Sequence, residues 1–152
     1  KVQSERSKDG ERKNDSGTRK VTFFDNSFYK SKTSLEFCME YADGKKLTCC
    51  GDEPYNECEH KYAVNSTWLL HEAFCLFSQA DKFKPYEKHH STVKDACQLA
   101  QELNVDNLIL YHTEDKNISR RKELYTEEGN HIIKEIFLSR MIWKPLNCNI
   151  NG

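Results

Sequence analysis

Residues 91–112 decide the fold class, because an amphipathic helix and a buried strand follow each other directly in STVKDACQLAQELNVDNLILYH. Apolar residues at helical spacing form one face of the helix: Val93, Ala96, Cys97, Ala100 and Leu103. Thr92 and Asp95 predict a capping box at its start, and Asn104 ends it. The strand from Asn107 to Tyr111 follows. This succession favours an α/β fold.

The chain before this stretch predicts a β-hairpin. The runs 35–41 and 46–50 are rich in β-forming residues, and Ala42-Asp43-Gly44 separates them. Asp-Gly between two such runs is a strong signal for a hairpin turn. The pattern also predicts two strands, Val21 to Phe24 and Thr67 to Leu70, and a helix from Ser119 to Glu128 that Gly129 closes.

Length and composition restrict the chain to one domain or part of a larger one. It has 152 residues, of which 37% are hydrophobic and 31% are charged, which is polar for a compact domain. The formal net charge of -1 provides no overall attraction to nucleic acids or membranes. The sequence has no apolar run of 18 residues and no apolar N-terminal segment, so we expect neither a membrane span nor a secretory signal.

Residues 1–18 are almost wholly polar, and we expect a disordered tail there because they cannot bury enough apolar area to offset the cost of ordering. Seven cysteines occur without a C-x-x-C pair or an export signal. They favour reduced thiols in a cytoplasmic protein over a secreted binding protein held together by disulfides.

Polar residues lie where the predicted strands end. Asp52 follows the second strand of the hairpin, and the pair His71-Glu72 follows the strand that ends at Leu70. His112 follows Tyr111, and His90 precedes the helix. Such strand ends are where α/β proteins gather binding sites. Taken singly, each residue is more often a turn or surface residue than a ligand.

Their order is more specific. Gly51-Asp52, His71-Glu72-Ala73, His90-Ser91-Thr92, a helix, a strand and His112 follow one another in a way that resembles the end of ribonuclease Z and its metallo-β-lactamase-fold relatives. The resemblance implies an α/β fold. Residues 19–130 would form an incomplete domain that corresponds to the C-terminal half of an αββα sandwich. A half sandwich leaves one sheet face uncovered, so we expect a marginally stable or aggregation-prone protein.

The resemblance also implies a chemistry. In that family the counterparts of Asp52 and His112 bind zinc, the aspartate bridging two ions. The counterparts of His90 and Glu72 are thought to protonate the leaving group. Two cations activate a shared water and stabilise the attacking and leaving oxygens when a phosphodiester is cleaved. Histidine can supply the proton that the leaving oxygen needs. The implied substrate is RNA or another phosphodiester, and the full-length relatives suggest a homodimer.

The sequence departs from the family pattern. Glu53 replaces the usual threonine after Gly-Asp, Phe74 replaces the threonine after His-Glu-Ala, and no His-x-His-x-Asp-His run supplies the other zinc ligands. Segments 25–35 and 132–152 regain family-like residues when back-translated in another reading frame. We therefore expect an aberrant tail at 131–152, which a frameshift would explain, and no activity of this chain alone.

Alternatives remain for the whole chain and for single residues. The chain could be a non-catalytic half-domain that binds a partner. His71 is expected to point toward the sheet or solvent, and His60 and His89 are expected on the surface. A loop carries several lysines that could contact phosphates but are more commonly solvated: Lys82, Lys84 and Lys88.

Overall fold

A computed structural model describes residues 10–13, 19–24, 36–140 and 147–148. Its strands form a seven-stranded sheet in chain order: β1 (Gly10–Lys13), β2 (Arg19–Phe24), β3 (Glu36–Tyr41), β4 (Lys46–Cys49), β5 (Trp68–Glu72), β6 (Asn107–Tyr111) and β7 (Asn147–Cys148). Strands β1 to β4 pair antiparallel, and β4 to β7 pair parallel. The helices are α1 (His60–Ala63), α2 (Ala80–Phe83), α3 (Val93–Glu102) and α4 (Arg121–Arg140). The predicted α/β class is confirmed.

The predicted hairpin is confirmed as β3 and β4. Phe37 lies opposite Cys49 and Met39 opposite Leu47, so side chains of both strands share one face. Gly44 has a φ of 80°, a conformation that an L side chain rarely adopts. The Asp-Gly turn therefore fixes the register of the pair.

The predicted helix between Thr92 and Asn104 is confirmed as α3. The amide of Thr92 donates to Asp95 Oδ2 over 2.8 Å, and the amide of Asp95 donates to Thr92 Oγ1 over 3.4 Å. This reciprocal capping box satisfies two donors that the helix cannot satisfy itself. Asn104 follows the helix with a φ of 53°, a left-handed conformation that ends it.

The helices cover one face of the sheet. Leu69 and Leu108 project from β5 and β6 into a buried cluster that also contains Val93 and Ala100 of α3 and Tyr125 of α4. Their sheet neighbours on the opposite face are only partly buried: Leu47, Trp68, Leu70 and Ile109. This difference agrees with one layer of a sandwich, and the expected low stability stays a prediction.

Three boundaries differ from the sequence prediction. Helix α4 does not stop at Gly129 but continues to Arg140, because Ile132 is buried in the core and packing outweighs the glycine. His71 and Glu72 are the last residues of β5 and do not follow it. The loop 78–90 contains α2 and short 3₁₀ turns.

The proposed domain limits stay predictions. Strand β1 lies inside the segment 1–18, and α4 crosses the limit placed at residue 130. The frameshift hypothesis rests on 25–35 and 132–152. Residues 25–35, 141–146 and 149–152 lie outside the described residues, whereas 132–140 belong to α4.

Candidate metal and proton-transfer site

The four candidate residues lie around one edge of the sheet. Glu72 ends β5, His112 follows β6 directly, and Asp52 follows β4 after two residues. Because β4, β5 and β6 run parallel, their C-terminal ends meet at the same edge. The loop before α3 brings His90 to this edge, since the Phe74 amide donates to the Ser91 carbonyl over 2.9 Å.

Glu72 is fully buried and holds the loop that carries His90. Its Oε2 lies 2.7 Å from Nδ1 of His90, and its Oε1 accepts the amide of Ser91 over 2.7 Å. Burial raises the pKa of Glu72 to about 8, and the charge of Asp52 adds to this shift. Both carboxyl oxygens of Glu72 thus have hydrogen-bond partners within the protein.

His90 occupies the centre of the site. Its ring stacks on Phe74 with centroids 4.9 Å apart, and its centroid lies 5.0 Å from that of His112. Burial lowers the pKa of His90, and the neighbouring His112 lowers it further, while the charge and backbone of Asp52 oppose this. Both pKa shifts therefore disfavour the charged form of the group.

Asp52 and His112 are exposed. His112 has a φ of 52°, which is uncommon for a residue with a Cβ, and Gly51 before Asp52 has a φ of 73°. Tyr111 holds this region together, because its hydroxyl donates to the carbonyl of Gly51. The exposed pair therefore stands on a fixed backbone with its side chains directed to solvent.

The structure brings three possible ligand groups close together. Among the described residues, ligand atoms of Glu72, His90 and His112 all lie within 4.8 Å of one another. Asp52 is not in that group, although its charge and backbone act on His90. One carboxylate with two imidazoles is a donor set that suits zinc.

The distances divide this group by role. Two ligands about 2.0 Å from a tetrahedral zinc lie roughly 3.3 Å apart. The separation of 2.7 Å between Glu72 and His90 is shorter and is that of a hydrogen bond. These residues therefore fit a proton-transfer pair, and a metal fits better against the exposed imidazole of His112.

Sequence reasoning missed three supporting groups. Phe74 provides the surface on which His90 stacks, the Ser91 amide orients Glu72, and the Tyr111 hydroxyl anchors Gly51. Phe74 and Ser91 were visible only as parts of the motifs around them. Tyr111 gave no signal, because its partner lies 60 residues away.

The other residues considered in the sequence lie in different surroundings. His71 is buried in the sheet, while His60 and His89 are exposed as predicted. Four cysteines in the described part of the chain are free thiols: Cys38, Cys49, Cys50 and Cys75. The ammonium of Lys88 lies 4.9 Å from the centroid of Phe74, beside His90. Within the described residues, no helix is both long and apolar enough to cross a membrane.

Comparison with solved structures assigns the fold. The chain superposes on human tRNase Z, short form, with a TM-score of 0.55 and 24% identity. The superposition covers 66% of this chain and 39% of human tRNase Z. The metallo-β-lactamase-fold protein YhfI from Bacillus subtilis matches 76% of this chain over 44% of its own, with a TM-score of 0.57 and 15% identity. No family model matches the chain.

Comparison with curated sequences shows similarity to bacterial ribonucleases Z over part of the chain. A ribonuclease Z of Prochlorococcus marinus is 33% identical over 94 residues, 62% of this chain and 28% of that protein. The chain is similar to ribonuclease Z over part of its length, and its fold is part of the metallo-β-lactamase fold. A ribonuclease Z of Bacillus cereus is 35% identical to this chain over 77 residues. The match covers 51% of this chain and 24% of the Bacillus cereus protein. The chain thus spans about a quarter of these relatives' length.

Proposed function

We propose that this chain supplies part of the active site of a zinc-dependent phosphodiesterase whose substrate is RNA or a related phosphodiester. The observation that carries the proposal is the partly buried hydrogen bond of 2.7 Å between Glu72 and His90, with His112 beside it. A buried carboxylate that orients an imidazole next to an exposed imidazole fits a proton donor beside a metal ligand.

Each residue has a distinct task. His90 gives the proton on its Nε2 to the departing oxygen of the substrate, and Glu72 keeps the ring in position and passes a proton to its Nδ1. Asp52 and His112 are the residues that would hold zinc, which when bound would polarise the phosphate and activate water. Lys88, beside Phe74, is positioned to attract a phosphate oxygen.

Two residues alone do not complete a catalytic zinc site, which commonly uses three protein ligands. We therefore propose that the remaining ligands come from a polypeptide carrying the His-x-His-x-Asp-His run, and that these 152 residues are inactive alone. Free thiols at Cys38, Cys49, Cys50 and Cys75 suit a reducing compartment, so we propose a cytoplasmic location.

Hydrolysis of bis(p-nitrophenyl) phosphate with added zinc tests this proposal. The chain is assayed alone and after mixing with the N-terminal half of the Bacillus cereus ribonuclease Z. We expect turnover only in the mixture. There His90→Gln should lower kcat by about 100-fold, the usual contribution of a general acid. Asp52→Asn should remove turnover, because one ligand is lost.

Two exposed residues provide matched controls. His131→Gln and Asp106→Asn change the same side-chain types away from the site and should leave the rate unchanged. Equal rates for His90→Gln and the unchanged chain would contradict the proton-donor role. A mixture that binds zinc stoichiometrically but hydrolyses nothing would overturn the enzymatic proposal in favour of the non-catalytic half-domain, which binds a partner.

A further inference from the structure

A pocket opens beside His90. Its volume is about 350 Å³. It is lined by Pro54, Tyr55, His71, Tyr86, His89, His90, Ser91, Asp95 and Leu99. Asp52 and His112 are not among the lining residues, so the pocket adjoins the proton donor without containing the candidate metal ligands. A group bound there would lie next to the reacting bond.

His71 lines this pocket, and its side chain carries an unsatisfied polar atom. Its side chain is 1% exposed, and its Nδ1 lies 2.7 Å from the carbonyl of Glu72. A carbonyl only accepts, so Nδ1 carries the proton and Nε2 presents a lone pair. Nε2 is buried and has no hydrogen-bond partner among the described residues. A buried acceptor of this kind requires a donor.

The rest of the lining favours a flat, uncharged occupant. The Tyr55 hydroxyl lies 3.2 Å from Nδ1 of His60, and the Tyr86 hydroxyl donates to Asp95 over 3.0 Å. Both hydroxyls are thus occupied, which leaves the aromatic rings for stacking. No lysine or arginine lines the pocket, so its wall carries no permanent cation to neutralise a phosphate.

We propose that this pocket binds the nucleobase of the substrate, and that an exocyclic amino group of the base donates a hydrogen bond to Nε2 of His71. The inference rests on the proposed phosphodiesterase function, because it assumes that the base belongs to the nucleotide whose phosphate reaches His90. Adenine and cytosine carry such a donor. Hypoxanthine and uracil carry a carbonyl oxygen at the same place, which would face another acceptor.

Calorimetric titration of the full chain with AMP and IMP, without metal, tests the inference. The two ligands differ at the position where an amino group is replaced by a carbonyl. AMP should bind about tenfold more tightly, because IMP leaves the buried acceptor unpaired. The ¹⁵N resonance of His71 Nε2 should shift with AMP as it accepts the hydrogen bond. Equal affinities, or an unchanged Nε2 resonance, would overturn the inference.

Two variants separate recognition from stacking. His71→Phe keeps a ring but removes the acceptor, and should bring AMP and IMP to equal affinity. Tyr86→Ala changes an exposed ring and should weaken both ligands by the same factor, which keeps the test available if His71→Phe fails to fold. Because binding is measured without turnover, a discriminating pocket in a mixture that hydrolyses nothing would refute the proposed function and not the pocket.

Discussion

The site contains two pairs of residues that differ in their surroundings. The inner pair, Glu72 and His90, is joined by a hydrogen bond, and each member also packs against or bonds with neighbours. The outer pair, Asp52 and His112, is exposed. The inner pair is therefore complete within this chain, whereas the outer pair is available to a ligand from outside. Stability and binding should consequently depend on different pairs.

Truncation of Glu72 should have the largest effect on stability. Glu72→Ala leaves the Ser91 amide and the His90 ring without their acceptor and opens a cavity, so the free energy of unfolding should fall by about 3 kcal/mol. Asp52→Ala should change it by less than about 0.5 kcal/mol, as is usual for an exposed residue. Urea denaturation measures both. Equal losses would remove the distinction between the pairs.

The two histidines should differ by a smaller amount. His90→Ala loses a stack on Phe74 and a hydrogen bond to Glu72, so we expect a loss of about 2 kcal/mol. His112→Ala should cost less than about 0.5 kcal/mol, because the side chain is exposed. Thermal melting compares the two variants. A costly His112→Ala would show that the outer pair also supports the fold.

The smallest effect should come from the backbone of His112. Its φ of 52° disfavours any residue with a Cβ, so His112→Gly should be more stable than His112→Ala by about 1 kcal/mol. The comparison uses two variants that both lack the imidazole, and denaturant midpoints provide the measurement. If the alanine variant were the more stable of the two, no strain would be stored at this ligand position.

Much of the fold followed from local sequence signals. The Asp-Gly turn predicted the hairpin, and the apolar face with its Thr92–Asp95 cap predicted α3, because both depend on residues close in sequence. The length of α4 could not be predicted from such local signals. Gly129 signalled a stop, but Ile132 packs in a core assembled from distant segments, and only the folded chain shows that contact.

The candidate site was partly predictable. Glu72 and His90 were paired on the resemblance alone, and the structure places them in contact. The pocket was not predicted. The sequence around His71 does not show whether a buried histidine has both ring nitrogens hydrogen-bonded or leaves one without a partner, as Nε2 of His71 is among the described residues. The placement of Asp52 beside His112 on the metal stays a prediction.

A zinc titration followed by ¹⁵N resonances of the histidine side chains tests the division between the pairs most directly. We expect weak binding that shifts the ring nitrogens of His112, is abolished in His112→Ala and leaves the hydrogen bond between Glu72 and His90 intact. Tight stoichiometric binding that shifts His90 and His112 together, and that Glu72→Gln removes, would contradict the account. In that case Glu72, His90 and His112 would form a metal site of their own.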